Sequence, residues 1–142
     1  MFRLAACTGF ITTALLLSSL DIAVASNYTP KVNYTLHCQG CHLVDGSGTE
    51  GKVPALKNEV GKFLEVTGGR EFLIQVPGTS QSPMSDAEIA EVLKWILENF
   101  SADELPADFV PYTSQEVSIV RPQPLTNVSA AREDLLAQAD RE

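Results

Sequence analysis

The feature that most constrains this chain is a five-residue segment holding two cysteines and a histidine. Cys38 and Cys41 are three positions apart, and His42 follows directly. Side chains three positions apart lie on one face of a helix, so both thiols can reach a single partner group. The adjoining imidazole is a good metal ligand when it is neutral. The segment therefore predicts one site held by two sulfur atoms and a neighbouring nitrogen.

Three cofactor chemistries use cysteine pairs with this spacing: zinc, a redox dithiol and covalently attached haem. Zinc takes four tetrahedral ligands, and the two Cys and two His that remain after residue 25 lie within six positions, too close together for one ion. A dithiol motif expects a preceding strand and a βαβ surround, which this sequence lacks. Cys-x-x-Cys-His is the pattern of c-type haem attachment. We predict that Cys38 and Cys41 form thioethers with one haem c, and that His42 is its proximal axial iron ligand.

Residues 1–25 have the pattern of a secretory signal peptide. Arg3 supplies the early positive charge, an apolar stretch from Phe10 to Leu20 follows, and Ala23 and Ala25 give a small-residue cleavage site. The apolar stretch is short for a membrane span of about 20 residues, so we expect no span after cleavage. Cleavage also removes the third cysteine of the chain. We predict export to the bacterial periplasm.

With the attachment motif in place, residues 28–101 resemble a monohaem class I cytochrome c. Tyr34 lies four residues before Cys38, as the aromatic residue of the first helix does in that family. Residues 85–100 have the clearest amphipathic helical pattern in the chain, and Trp95 stands where the family's last helix commonly crosses the first. The resemblance implies an all-α class I cytochrome c fold of three to five helices around one covalently attached haem.

The loop Gly51–Leu56, with the sequence GKVPAL, is similar to the family's G-x-x-G-P-x-L loop. Val53 stands where the second glycine often does. The resemblance implies that the backbone carbonyl of Pro54 accepts a hydrogen bond from Nδ1 of His42. Such a bond fixes the orientation of a ligating imidazole and raises its basicity.

The second axial ligand is left open by the sequence. The resemblance implies a methionine in the loop before the last helix, and Met84 is the only methionine beyond the signal peptide. Met84 directly precedes the predicted cap residue Ser85, where an apolar side chain packs against the fourth helical residue, here Ile89, as a hydrophobic staple. The usual ligand position falls near Thr79–Gln81, which has no strong iron ligand. Either Met84 is the distal axial ligand, or it is a core residue beside a distal site that is vacant, water-filled or held by a weaker group. His37 is expected at the surface.

Residues 103–142 follow the haem domain, residues 26–102, as an acidic C-terminal extension. Four prolines interrupt this extension, and we predict an extended tail in which Ser129–Arg141 alone has a helical pattern. Of the net charge of −8, the extension holds −5, from eight acidic and three basic residues. We expect this charge to lie away from the haem, on a tail that wraps the domain, docks on a partner or is disordered.

The acidic composition excludes nucleic acid as a partner, because binding to phosphates requires a basic surface. We predict a periplasmic one-electron carrier that accepts electrons from a periplasmic dehydrogenase and passes them to a downstream acceptor. Acidic cytochromes of this type resemble acceptors of quinoprotein dehydrogenases, so such redox proteins are the expected partners. A peroxide enzyme is not expected, because both histidines are proximal and peroxide chemistry needs a distal acid–base residue. The alternative is a haem subunit or small-ligand sensor docked in a larger enzyme complex.

Overall fold

The computed structural model describes residues 28–139 and 141, which form a helical fold. Its α-helices are α1 (Pro30–His37), α2 (Gln39–His42), α3 (Gly69–Gln75), α4 (Pro77–Ser80), α5 (Asp86–Phe100), α6 (Ser114–Val120) and α7 (Val128–Ala139). Short 3₁₀ helices lie at Val60–Glu65 and Ala102–Glu104. Within the described ranges, β-type pairing is limited to an isolated bridge between Thr49 and Val53. The predicted all-α class is confirmed, whereas the predicted signal peptide at 1–25 lies outside the described residues.

Helices α1 and α5 cross at Tyr34, as the resemblance implies. Tyr34 is 1% exposed, and its ring centroid lies 5.2 Å from that of Trp95 and 5.1 Å from that of Phe100. Its hydroxyl donates a hydrogen bond to the carbonyl of Leu43, just beyond α2. Burial raises the pKa of Tyr34 to about 12, which keeps this donor protonated. One side chain thereby holds the cysteine-containing segment against the longest helix.

Helix α5 begins where the sequence predicts, at a capping box. The Ser85 hydroxyl accepts a hydrogen bond from the Glu88 backbone at 3.3 Å, and the Glu88 carboxylate accepts one from the Ser85 backbone at 2.9 Å. These two bonds satisfy N–H groups that have no partner within the helix. The buried face of α5 forms the centre of the core and consists of Ile89, Ala90, Val92, Leu93, Ile96 and Leu97.

Two glycines, Gly68 and Gly69, lie where the chain passes from the 3₁₀ helix at Val60–Glu65 into α3. Gly68 has a φ of +85°, in the left-handed region that favours glycine. A Cβ atom on Gly69 would overlap the carbonyl of Phe63, so the two segments approach more closely than a side chain allows. The rings of Phe63 and Phe72 consequently stack, with their centroids 4.9 Å apart.

The C-terminal extension differs from the predicted extended tail. It contains α6, which the sequence does not predict, and α7, which agrees with the helical pattern at Ser129–Arg141. Tyr112, Val117 and Leu135 are buried in the same core as α5. Helix α6 has seven residues and buries only Val117. Its sequence therefore shows little helical periodicity, and the helix is stabilised by packing on α5.

An arginine on α3 attaches the start of the extension to the haem domain. Nε and Nη2 of Arg70 donate to the two carboxylate oxygens of Glu116, both at 2.9 Å. Nη1 donates to the carbonyl of Val110 at 2.8 Å, and the guanidinium lies 4.2 Å from the ring centroid of Tyr112. Paired hydrogen bonds between arginine and carboxylate are geometrically specific. They set the position of α6 relative to α3.

Candidate functional site

A cavity of about 280 Å³ lies beside the Cys-x-x-Cys-His segment. Cys38, Cys41 and His42 form one part of its wall, and the loop that contains Pro54 adjoins them. The remainder of the wall is mostly apolar and is contributed by Val60, Phe63, Phe72, Leu73, Val76, Gly78, Thr79, Leu93, Ile96, Val128 and Arg132. The side chains that the sequence predicts as haem anchors therefore share one largely apolar cavity.

The short helix α2 places the two sulfurs and the imidazole together. The backbone N–H groups of Cys41 and His42 both donate to the carbonyl of Cys38, at 3.1 Å and 3.0 Å. Leu43, with a φ of +60°, then ends the helix. Because one helical turn joins these residues, their side chains project toward the same side.

The imidazole of His42 is oriented by a backbone carbonyl. Its Nδ1 lies 3.1 Å from the carbonyl oxygen of Pro54. A carbonyl accepts only, so the proton is on Nδ1, and Nε2 keeps the lone pair that binds a metal. Burial lowers the pKa of His42, and the hydrogen bond to Pro54 partly opposes this effect. The neutral form is the one that ligates a metal.

A glycine that sequence reasoning missed sets the position of Pro54. The backbone of Gly48 has a φ of +70°, and a Cβ atom there would overlap the Val53 carbonyl oxygen and lie 2.7 Å from the Pro54 carbonyl oxygen. Its N–H donates to the carbonyl of His42 at 3.2 Å. Glycine is thus required both by the backbone conformation and by the close approach. The sequence signal that could have identified it is the pair of glycines, Gly46 and Gly48, between His42 and the proline loop.

The properties of the two thiols and their surroundings distinguish between a zinc site, a redox dithiol and a covalently attached haem. Burial raises the pKa of Cys38 to about 11, and the charge of Cys41 adds to the effect. Redox-active cysteine pairs have lowered thiol pKa values, so a dithiol function is not supported. In residues 28–139 and 141, no group of three or more His, Cys, Asp or Glu side chains is placed to hold a metal ion. Two free thiols, an oriented imidazole and an apolar wall fit a covalently attached haem.

Comparison with known proteins defines the class. The chain is 32% identical over 130 residues to a cytochrome c-552 of Thermus thermophilus, a match that covers 79% of this chain and 85% of the relative. A second cytochrome c-552 of Thermus thermophilus is 33% identical over 107 residues, covering 63% of this chain and 82% of the relative. No protein-family model matches the chain. The chain belongs to the c-type cytochromes, carries haem c and is in general terms an electron-transfer protein.

The structure places Met84 in the core. Its side chain is 4% exposed and packs in the same cluster as Ile89. Met84 is not among the described residues that line the cavity. The residues leading into α5, 75–86, are called the lead-in segment below, and they contribute Val76, Gly78 and Thr79 to the wall.

Two regions border the cavity where the sequence did not place them. His37, expected at the surface, is half-buried and lines the cavity at the end of α1. Helix α7 contributes Val128 and Arg132, although its charge was expected to lie away from the haem. The Arg132 guanidinium lies 5.8 Å from the ring centroid of Phe63, so the extension completes one side of the site. The i, i+4, i+7 spacing of Val128, Arg132 and Leu135 is the helical signal that could have identified this face.

Proposed function

We propose that this c-type cytochrome is a periplasmic one-electron carrier in which Cys38 and Cys41 anchor haem c and His42 is its proximal ligand. The observation that carries the proposal is the shared cavity wall of these three residues, with Nδ1 of His42 3.1 Å from the carbonyl oxygen of Pro54. Haem, when bound, supplies a one-electron iron couple. Two sulfur atoms hold the group, and the Pro54 carbonyl fixes the plane of the imidazole.

The apolar wall has a second role in this proposal. Phe63, Phe72 and Leu73 are each about 5–6% exposed and line the cavity. Apolar surroundings lower the local dielectric and exclude water, and both effects tune the reduction potential of a haem. Arg132 adds a positive charge at the same wall, which favours the reduced state of a bound iron centre.

The location and the partners are proposed from the sequence. The pattern of residues 1–25 supports export, and no helix in the described part of the chain is long and apolar enough to cross a membrane. The proposed donor is a periplasmic dehydrogenase, of the quinoprotein type or another, and the acceptor is a further redox protein.

The test begins with the full chain produced in a host that attaches haem c. We expect a mature protein that starts at Ser26, with one haem that acidified acetone does not extract. Stopped-flow mixing with a periplasmic quinoprotein dehydrogenase from the same organism should reduce the haem within the turnover time of that enzyme. Extractable haem would contradict the anchors, and a haem that this enzyme does not reduce would contradict the proposed donor.

A further inference from the structure

We infer that Met84 is not an iron ligand and that the coordination position opposite His42 is open to a small neutral diatomic ligand such as carbon monoxide. This inference rests on the proposed attachment of haem through Cys38, Cys41 and His42. It concerns the lead-in segment, where the resemblance implies a methionine ligand.

The Met84 side chain already has a structural role. It occupies the position before the N-cap Ser85, and Ile89 is the fourth residue of the helix. Ile89 is 0% exposed, Met84 is 4% exposed, and both belong to one core cluster. This is the arrangement of a hydrophobic staple, which fixes the angle at which a chain enters a helix. Turning the sulfur toward the cavity would remove an apolar side chain from the core.

Arg121 of the C-terminal extension holds the backbone on both sides of Met84. Its Nε donates to the carbonyl of Ser80 at 2.9 Å, and its Nη1 donates to the carbonyl of Met84 at 2.8 Å. Nη1 also pairs with the Asp86 carboxylate at 2.9 Å, and Nη2 donates to the carbonyl of Ser82. A guanidinium presents its donors in a rigid plane, so the acceptors are held in fixed relative positions. A rotation of the backbone at Met84 would break the hydrogen bond to its own carbonyl and displace the neighbouring acceptors of Arg121.

Both ends of the lead-in segment are held as well. At its start, the Ser80 hydroxyl donates to the carbonyl of Val76 at 3.1 Å, and the Leu125 backbone donates to the carbonyl of Gln75 at 3.1 Å. At its end, the capping box binds Ser85 to Glu88. The segment is therefore set by the protein itself, through bonds that do not involve the cofactor.

The other polar residues that line the cavity do not replace methionine. Lys52 belongs to the loop Gly51–Leu56, and His37 is the last residue of α1, directly before Cys38. Both residues therefore lie on the same side of the cavity as His42. The guanidinium of Arg132 carries hydrogen-bond donors only and has no lone pair to offer a metal. Thr79 carries a neutral hydroxyl, which is a weak ligand for haem iron. Among the described residues of the wall, none supplies a strong ligand opposite His42.

The apolar residues of the cavity wall determine which class of small ligand can bind there. Phe63, Phe72 and Leu73 make it apolar, and burial of a charged ligand in such surroundings is costly. A neutral diatomic molecule carries no such cost. Gly78 is exposed, and a Cβ atom built on it would meet nothing within 4 Å. The wall is thus open to solvent at Gly78, which gives a small molecule a route of access.

The experiment uses the full-chain holoprotein, after covalent haem has been established by the pyridine haemochrome of the denatured protein. The reduced protein is then titrated with carbon monoxide, and the oxidised protein is scanned for the far-red charge-transfer band of methionine-ligated haem. We expect one carbon monoxide bound per haem and no far-red band. Met84→Leu should leave the spectrum unchanged and the carbon monoxide affinity within twofold. A far-red band in the wild type that Met84→Leu removes would overturn the inference, while the haem attachment would stand.

A second measurement needs no variant. Met84 is the only methionine beyond the predicted signal peptide, so one methyl resonance in the proton NMR spectrum of the reduced protein reports on it. When the sulfur of a methionine binds low-spin ferrous haem iron, its methyl group is held over the porphyrin ring and the methyl resonance is shifted far upfield. We expect the Met84 methyl within the range of ordinary core methyl groups. A strongly upfield methyl resonance together with failure to bind carbon monoxide would overturn the inference.

Discussion

The attachment segment, residues 38–57, and the lead-in segment, residues 75–86, border the same cavity but are stabilised differently. In the attachment segment, hydrogen bonds join near neighbours: His42 to Cys38 at 3.0 Å, Val53 to Thr49 at 2.8 Å and Leu56 to Gly46 at 2.8 Å. The lead-in segment is held by Arg121 and Leu125, which lie 35 or more residues further along the chain. One side of the site is thus encoded locally, and the other depends on the C-terminal extension.

This difference has a functional consequence. In the proposed function, the local segment supplies the groups that would anchor and orient a haem, and these functions require a short sequence with defined spacing. The lead-in segment contributes another part of the cavity wall, and its conformation is stabilised by contacts with α6 and the residues after it. Changes in the extension should therefore alter the lead-in segment and leave haem attachment intact.

The largest expected effect comes from the two sulfur atoms. Replacing both anchors, Cys38→Ala with Cys41→Ala, should abolish covalent attachment because no thioether can form. Acidified acetone should then extract all haem, as read by absorbance of the extract. The matched control Gln39→Ala leaves both sulfurs and the imidazole in place and should retain full covalent haem. Retention of covalent haem by the double variant would remove the basis for assigning the anchors.

Arg121→Gln tests the long-range side of the comparison. It removes a charged donor from the backbone carbonyls of Ser80, Ser82 and Met84, and we expect the free energy of unfolding to fall by about 3 kcal/mol. Denaturant unfolding of the holoprotein followed by circular dichroism measures this loss. Covalent haem content should not change, since the attachment segment makes its own bonds. An unchanged denaturation midpoint would show that the lead-in segment does not depend on Arg121.

Gly48→Ala tests the local side. The added Cβ atom would overlap the Val53 carbonyl oxygen and lie 2.7 Å from the Pro54 carbonyl oxygen, on a backbone with a φ of +70°. We expect a loss of about 2–3 kcal/mol, from left-handed strain of about 1–2 kcal/mol plus the displacement of these two carbonyls. Gly51→Ala is the matched control, because Gly51 has the same φ of +70° but its Cβ atom would meet nothing within 4 Å. Equal losses in the two variants would show that the close approach of Gly48 to Val53 and Pro54 has no energetic role.

Arg132→Gln tests whether the C-terminal extension affects the reduction potential of the haem. Loss of a positive charge at the wall favours the oxidised state, so the reduction potential should fall, by about 30 mV for a partly screened charge that lines the cofactor cavity. Redox titration followed by visible absorbance measures the change. Lys31→Gln is the control, since Lys31 is exposed on α1 and does not line the cavity. Equal shifts in both variants would indicate a general charge effect and no specific role for α7.

The smallest expected effect is a pH dependence at the start of α5. Hydrogen bonds from the backbone and hydroxyl of Ser85 hold the pKa of Glu88 below its ordinary value. A lowered pKa in the folded state gives stability that is present above the ordinary glutamate pKa and is lost as pH falls through the lowered one. The advantage of the wild type over Glu88→Gln in unfolding free energy should be present at neutral pH and disappear in acid. A difference that stays constant from neutral pH into acid would contradict this role.

Sequence patterns predict several local features of the fold. The contact between Tyr34 and Trp95 and the capping box at Ser85 are both present where sequence reasoning places them. Sequence reasoning did not identify α6 or the role of Arg121. Helix α6 is too short for a clear period, and a lone arginine gives no indication of acceptors that lie 35 to 41 positions earlier in the chain.

By itself, the sequence determined the class of the protein and the predicted anchors, because one helical turn converts the spacing of Cys38, Cys41 and His42 into geometry. It also limited the second axial position to Met84 or to no strong ligand. The staple of Met84 with Ile89 was one of these alternatives in the sequence. Only the tertiary structure decided that the Met84 side chain packs in the core, because its backbone is held by the guanidinium of Arg121, 37 positions further along the chain. Local spacing predicts which groups can meet within one turn, whereas contacts between distant segments depend on how the whole core packs.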